Sequence, residues 1–152
     1  MLNFKKKPGI LPVVLICVLC ASSAFSENLV VIVNENSPLF AVKKKPELED
    51  IKDVCLGKTK FWGNDPVKPV NQKDRKILEN FVSGTCGMKL NEYQHYWTKK
   101  MLNDGVRAPL SLETSADVIK HVQKEKGGIG YVLESEVQTL QGVKTIYVIS
   151  FP

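Results

Sequence analysis

An α/β fold, with a mostly parallel sheet flanked by helices, is what this sequence predicts. Three observations point there. Short β-branched runs alternate with segments whose apolar residues recur every three or four positions, the periodicities of strand and amphipathic helix. One of those runs, residues 29–33, is apolar throughout, as a strand covered on both faces is. The chain has 152 residues, 43% apolar and 24% charged, which suits one globular domain and excludes a disordered chain.

The N-terminal residues read as an export signal. Lys5, Lys6 and Lys7 precede an uncharged apolar run over residues 10–19, followed by small and polar residues up to Ser26. The run is about half the ~20 residues that a membrane-spanning helix needs. The expected division is therefore a signal peptide over residues 1–26 and one domain over 27–152, periplasmic or secreted, with no stable membrane span after cleavage. Neither Cys17 nor Cys20 follows the small residue that a lipid-anchored cysteine requires, so a soluble exported protein is expected.

The elements follow in order. Residues 29–33 form a strand of the kind found inside a parallel sheet, closed by the turn formers Asn34, Asn36, Ser37 and Pro38. Pro46 is placed like a first-turn helix proline, with Leu48, Ile51 and Cys55 on one face and Gly57 as the stop. Residues 67–70 read as a brief or edge strand because Pro69 interrupts them. Residues 74–82 carry the stripe Ile77, Leu78, Phe81 and Val82, with Gly84 ending the helix. Asn91 is the expected cap of a helix bearing Tyr93, Tyr96, Trp97 and Met101, and Gly105 its end. Residues 109–112 are extended. Thr114 or Ser115 caps a helix with Val118, Ile119 and Val122 inward, broken by Gly127 and Gly128. Residues 129–133 and 143–149 are two further strands, separated by a polar stretch with room for one helical turn.

Charge narrows the partners. The chain holds 21 basic and 16 acidic residues, and the signal takes away three lysines and no acid, leaving a surplus of two. A nucleic-acid-binding surface would keep a clustered basic excess, so nucleic acid is not an expected partner. The lysines at 43–45 and 99–100 sit among acids such as Glu47, Glu49 and Asp104 and read as solvated surface. Of the two cysteines left, Cys55 and Cys86, either a disulfide or two separate buried thiols is compatible with the sequence. His95 and His121 are isolated, and neither cysteine has a second ligand at zinc spacing, so no metal or other cofactor is expected.

No nucleophile elbow, phosphate-cradling glycine loop, paired-histidine metal motif or dinucleotide fingerprint occurs, so no catalytic residue is assigned and a non-enzyme is expected. Ser83, Gly84 and Thr85 follow an apolar helical stripe instead of preceding one, which makes Gly84 a helix cap and not an anion loop. His95, among Tyr93, Tyr96 and Trp97, reads as a structural histidine at the rim of the core.

One ordered set of motifs resembles a known family. Val31-Ile32-Val33-Asn34 with Ser37-Pro38, Leu56-Gly57-Lys58 followed by Trp62, the stretch Pro66-Val67-Lys68-Pro69-Val70-Asn71, Tyr96-Trp97 and Gly128-Ile129-Gly130-Tyr131-Val132 occur in the order seen in phosphate-type periplasmic substrate-binding proteins. The resemblance covers residues 27–152. It implies a single lobe of the type 2 periplasmic-binding fold, in an exported, non-enzymatic protein similar to the phosphate-binding component of ABC transporters. In the two-lobed family an arginine-serine-glycine-threonine element follows the strand matching residues 67–70. Here that region reads Asn71-Gln72-Lys73-Asp74-Arg75-Lys76, with positive charge and without the serine-glycine-threonine element.

A ligand shelf is expected at the carboxyl ends of the parallel strands, beside helix N-termini. That rule selects Asn34, Asn36 and Ser37 after the first strand, Asn71, Gln72 and Arg75 after the second, and Thr114 and Ser115 before the last long helix. The expected ligand is a small anion such as phosphate, held weakly by an open shelf. The alternative is an envelope or transporter protein partner docked where the small ligand no longer binds.

Overall fold

The computed structural model describes residue 9, residues 27–137 and residues 141–151. The expected signal peptide falls outside the described residues, Gly9 apart. Seven strands, β1 Leu29–Asn34, β2 Phe61–Trp62, β3 Asp65–Pro66, β4 Lys68–Gln72, β5 Leu110–Leu112, β6 Gly128–Leu133 and β7 Val143–Ile149, alternate with helices. The helices are α1 Leu39–Val42, α2 Leu48–Cys55, α3 Arg75–Cys86, α4 Leu90–Asp104 and α5 Ser115–Lys124, with one 3₁₀ turn at Glu134–Glu136.

Five strands form the central sheet in the order β5-β4-β6-β1-β7. β4 runs parallel to β5 and to β6, whereas β1 is antiparallel to both β6 and β7. Four of the five strands therefore share one direction and β1 alone is reversed. The sheet is mostly parallel, but β1 does not pair as the parallel strand its apolar run predicts. Burial on both faces made it look parallel, and burial depends on helices covering the sheet, not on strand polarity.

The pleat sends alternate residues of β1 into two cores. Leu29, Val31 and Val33 join residues of α2, α3 and α4, while Val30 and Ile32 meet Val118, Ile119 and Val122 of α5. Helices thus lie on both faces of one sheet. On the first face the ring of Phe81 stacks on Tyr131, centroids 3.7 Å apart. On the second, a side chain at Gly130 would begin 2.5 Å from Val118 Cγ1, so only glycine lets α5 lie this close.

Local rules explain most boundaries, and four expectations change. β4 is internal, not an edge. The Lys68 amide bonds Gly127, so the next residue, Pro69, turns its missing donor to the β5 side, where pairing starts only at Val70. α3 continues through Gly84 to Cys86, and Gly87, at φ 64°, is the true left-handed cap. Gly84 is needed for packing, because a Cβ there would meet Ile149 at 2.4 Å. α4 is capped at Lys89, whose amide bonds the Glu92 carboxylate at 2.8 Å, and Asn91 lies inside the helix. α2 starts at Leu48 after the cap Glu47, two residues later than Pro46 implied. The β2–β3 hairpin and α1 are too short for a periodic pattern and were not legible.

Candidate functional site

The reversal of β1 divides the expected shelf. The C-terminal ends of β4 and β5 lie at one end of the sheet, with α3 and α5 starting beside them. Asn34 lies at the other end, a strand's length away, roughly 17 Å. Asn34, Asn36 and Ser37 therefore cannot share a ligand with Asn71, Gln72, Arg75, Thr114 and Ser115.

The first group is occupied locally. Asn34 donates to the carbonyls of Val122 and Gln123, and its own oxygen accepts from the Asn36 amide at 2.9 Å. Ser37 is buried, and its hydroxyl accepts from the Leu39 amide. These bonds shape the turn after β1 and close the end of α5.

The second group converges. Its inner layer is a buried chain of hydrogen bonds. The Gln72 amide donates to the Tyr131 hydroxyl at 3.1 Å, that hydroxyl donates to Asn71 Oδ1 at 3.3 Å, and Asn71 Nδ2 donates to the Tyr93 hydroxyl at 3.3 Å. Gln72 Nε2 also donates to the Tyr131 carbonyl at 2.8 Å and reaches Ser115 Oγ at 3.2 Å, tying β4 to the start of α5. Burial pushes the hydroxyls of both Tyr93 and Tyr131 well above the ordinary phenol range, so both stay protonated. Asn71 and Gln72 hold the shelf in shape, with their side-chain amides already engaged.

The outer layer is solvent-exposed. Asp74 caps α3 by accepting from the Ile77 amide at 3.0 Å, and Thr114 caps α5 by accepting from the Asp117 amide at 3.1 Å. Lys73 pairs with Glu113 across the two loops. Arg75, on the first turn of α3, forms no ion pair among the described residues. The loops and first turns at this edge carry Lys73, Arg75 and Lys76 together with Asp74, Glu113 and Asp117, three charges of each sign. Such an edge offers a guanidinium and a few helix-end amides without a net attractive field.

Next to Asn71 a cleft of about 320 Å³ runs between α4 and β5, lined among others by Tyr93, Trp97, Met101, Pro109 and Ser111. The buried Trp97 indole N–H has no hydrogen-bond acceptor among the described residues. Sequence reasoning read Tyr93 and Trp97 as core aromatics and Tyr131 as a strand residue, and missed that they border a polar edge. An aromatic at helical spacing gives no sign of which neighbour its polar atom will meet. Among the described residues no cluster of three metal-ligating side chains exists, and no helix is long and apolar enough to cross a membrane. His95 is exposed on α4 instead of lying at the rim of the core.

No family model matches the chain, and no curated protein matches it. Two solved structures share its architecture. One, from Clostridium perfringens with bound phosphate, is designated a phosphate ABC transporter substrate-binding protein. It is 21% identical at a TM-score of 0.60, over 79% of this chain and 44% of that one. The other, an ABC-type phosphate transport receptor from Vibrio cholerae, is 14% identical at a TM-score of 0.57, over 79% of this chain and 45% of that one. The likeness shows the fold: a mostly parallel α/β lobe of the kind found in substrate-binding proteins. This chain spans less than half the length of either structure.

Proposed function

We propose that this chain is an exported, non-catalytic solute-binding lobe that takes a small anion such as phosphate, weakly, at the edge formed by the ends of β4 and β5. The observation that carries the reading is the convergence of the α3 and α5 N-termini on that edge, joined through Gln72 and Ser115, in a fold shared with two phosphate-transport proteins. Arg75 supplies the charge, and the amides of the first turns supply donors. The binding is weak for two reasons. Asp74 and Thr114 already take helix-end amides, and the described residues build one open wall, where water screens each charge-assisted bond. Export rests on the lysine-led apolar segment before residue 27, and a transporter or envelope protein is the partner that such a lobe would serve.

Calorimetric titration with phosphate and with sulfate tests this reading. A dissociation constant in the range from tens of micromolar to millimolar is expected, lost in Arg75→Ala without change in melting temperature. A submicromolar constant for a proven monomer, or undiminished binding in Arg75→Ala, would refute the weak open shelf at this edge.

A second reading, a protein-docking module that has lost small-ligand binding, is favoured by one feature. Leu110 of the edge strand β5 is 64% exposed beside the shelf, and Leu102 on α4 is 75% exposed. Complete absence of any anion-induced rise in melting temperature would select this reading over the first.

A further inference from the structure

Cys55 is the last residue of α2 and Cys86 the last of α3, and their sulfurs lie 3.2 Å apart. Both are buried, Cys55 at 4% exposure and Cys86 at 8%. A disulfide needs its sulfurs about 2.05 Å apart, so a shift of little more than 1 Å closes the gap. Of the two, Cys55 also reaches the underside of the candidate edge. Cys55 shares a cavity of about 20 Å³ with Asn71 and Tyr131, room for about one water molecule. The same Asn71 bonds Tyr93. Nothing near the sulfurs provides the ligands of a metal site among the described residues.

We propose that Cys55 and Cys86 are a disulfide-forming pair, closed by exchange with an external disulfide such as oxidised glutathione or a thiol oxidoreductase of the export compartment. Cys86 reacts first. It is the more open of the two, and once it is deprotonated the Cys55 thiol, 3.2 Å away, becomes the donor to its sulfur and stabilises the thiolate, as does the charge of Lys52. The Cys86 thiolate, its proton released to solvent, attacks one sulfur of the external disulfide. A mixed disulfide forms and one external thiolate leaves. Cys55, kept protonated until then by its hydrogen bond to Cys86 and by burial, now gives its proton to solvent and attacks the Cys86 sulfur, expelling the second external thiolate, which takes up a proton from solvent. Two protein thiols have lost two electrons and two protons, and one external disulfide has become two thiols. The bond links the C-terminal ends of α2 and α3, 31 positions apart in the chain.

Incubation in glutathione buffers of rising oxidised share, followed by acid quench, alkylation under denaturing conditions and mass mapping of linked peptides, tests the pair and separates it from Cys17 and Cys20. The expected result is a linked Cys55–Cys86 peptide, two hydrogens lighter than its parts, with neither cysteine alkylated. Recovery of both cysteines alkylated, or of stable glutathione adducts on them, in fully oxidised buffer would overturn the proposal. Melting gives an independent readout that does not depend on any ligand. Reductant should lower the midpoint of the oxidised wild type by on the order of 10 °C and leave Cys86→Ser unmoved. Equal midpoints for the wild type with and without reductant would equally sink it.

Discussion

The side-chain amide of Asn34 donates to the carbonyl oxygens of Val122 and Gln123, 2.9 Å from each, so the last residue of β1 closes the last turn of α5. A residue chosen from sequence as a ligand contact is thereby a helix cap built from the opposite element. Asn34→Ala leaves two helix-end carbonyls and the Asn36 amide without this partner. It should cost about 1–3 kcal/mol in a urea or guanidinium titration and leave the response to phosphate unchanged. A loss of anion binding at full stability would return Asn34 to the ligand site.

Gly57 joins two constraints at one position. Its φ is +65°, and a Cβ there would begin 2.7 Å from the Trp97 ring. Gly57→Ala must therefore strain the backbone and push the α4 aromatic at once. A destabilisation of roughly 2–4 kcal/mol is expected, larger than that of Gly87→Ala, whose left-handed cap opens on empty space. Comparison of the two chemical denaturation midpoints separates the steric part from the conformational part.

The Tyr131 hydroxyl accepts from the Gln72 amide and donates to Asn71, a buried junction on which the shape of the β4 end depends. Tyr131→Phe keeps the stack on Phe81 and strands both partners. The expected cost is about 1–3 kcal/mol. Thermal melting of the variant checks it, and a neutral result would mean that a water molecule takes over the junction.

Stability should fall on the alkaline side. Tyr93 and Tyr131 have folded-state pKa values raised by burial, so the folded chain keeps protons that the unfolded chain releases above about pH 10. Their contribution is complete below that pH and is lost as the pH climbs towards the raised values. Ultraviolet titration of phenolate absorbance, followed beside circular dichroism, should show these two hydroxyls ionising only as the chain unfolds. Ionisation of all four tyrosines in the folded state would contradict their burial.

Fold class, the order of the main strands and helices, and a cap at Thr114 or Ser115, found at Thr114, were legible in the sequence, because each is set by periodicity or by a residue's own backbone preferences. Val118, Ile119 and Val122 point inward, as their spacing requires. The site was less legible. Its selection rule takes the carboxyl ends of parallel strands, and strand polarity is a property of pairing between segments about a hundred residues apart, such as β1 with β6.

By itself, then, the chain's residue pattern determined a layered α/β domain, with several of its local stops and caps at the places found. Tertiary structure alone decided that β1 runs against its neighbours, that Asn34 serves α5, and that Asn71, Gln72 and Ser115 meet. It alone brought the sulfurs of Cys55 and Cys86 to 3.2 Å. The physical reason is common to all four. Hydrophobic periodicity states which face of an element turns inward, and it carries no information on which distant polar atom that face will meet.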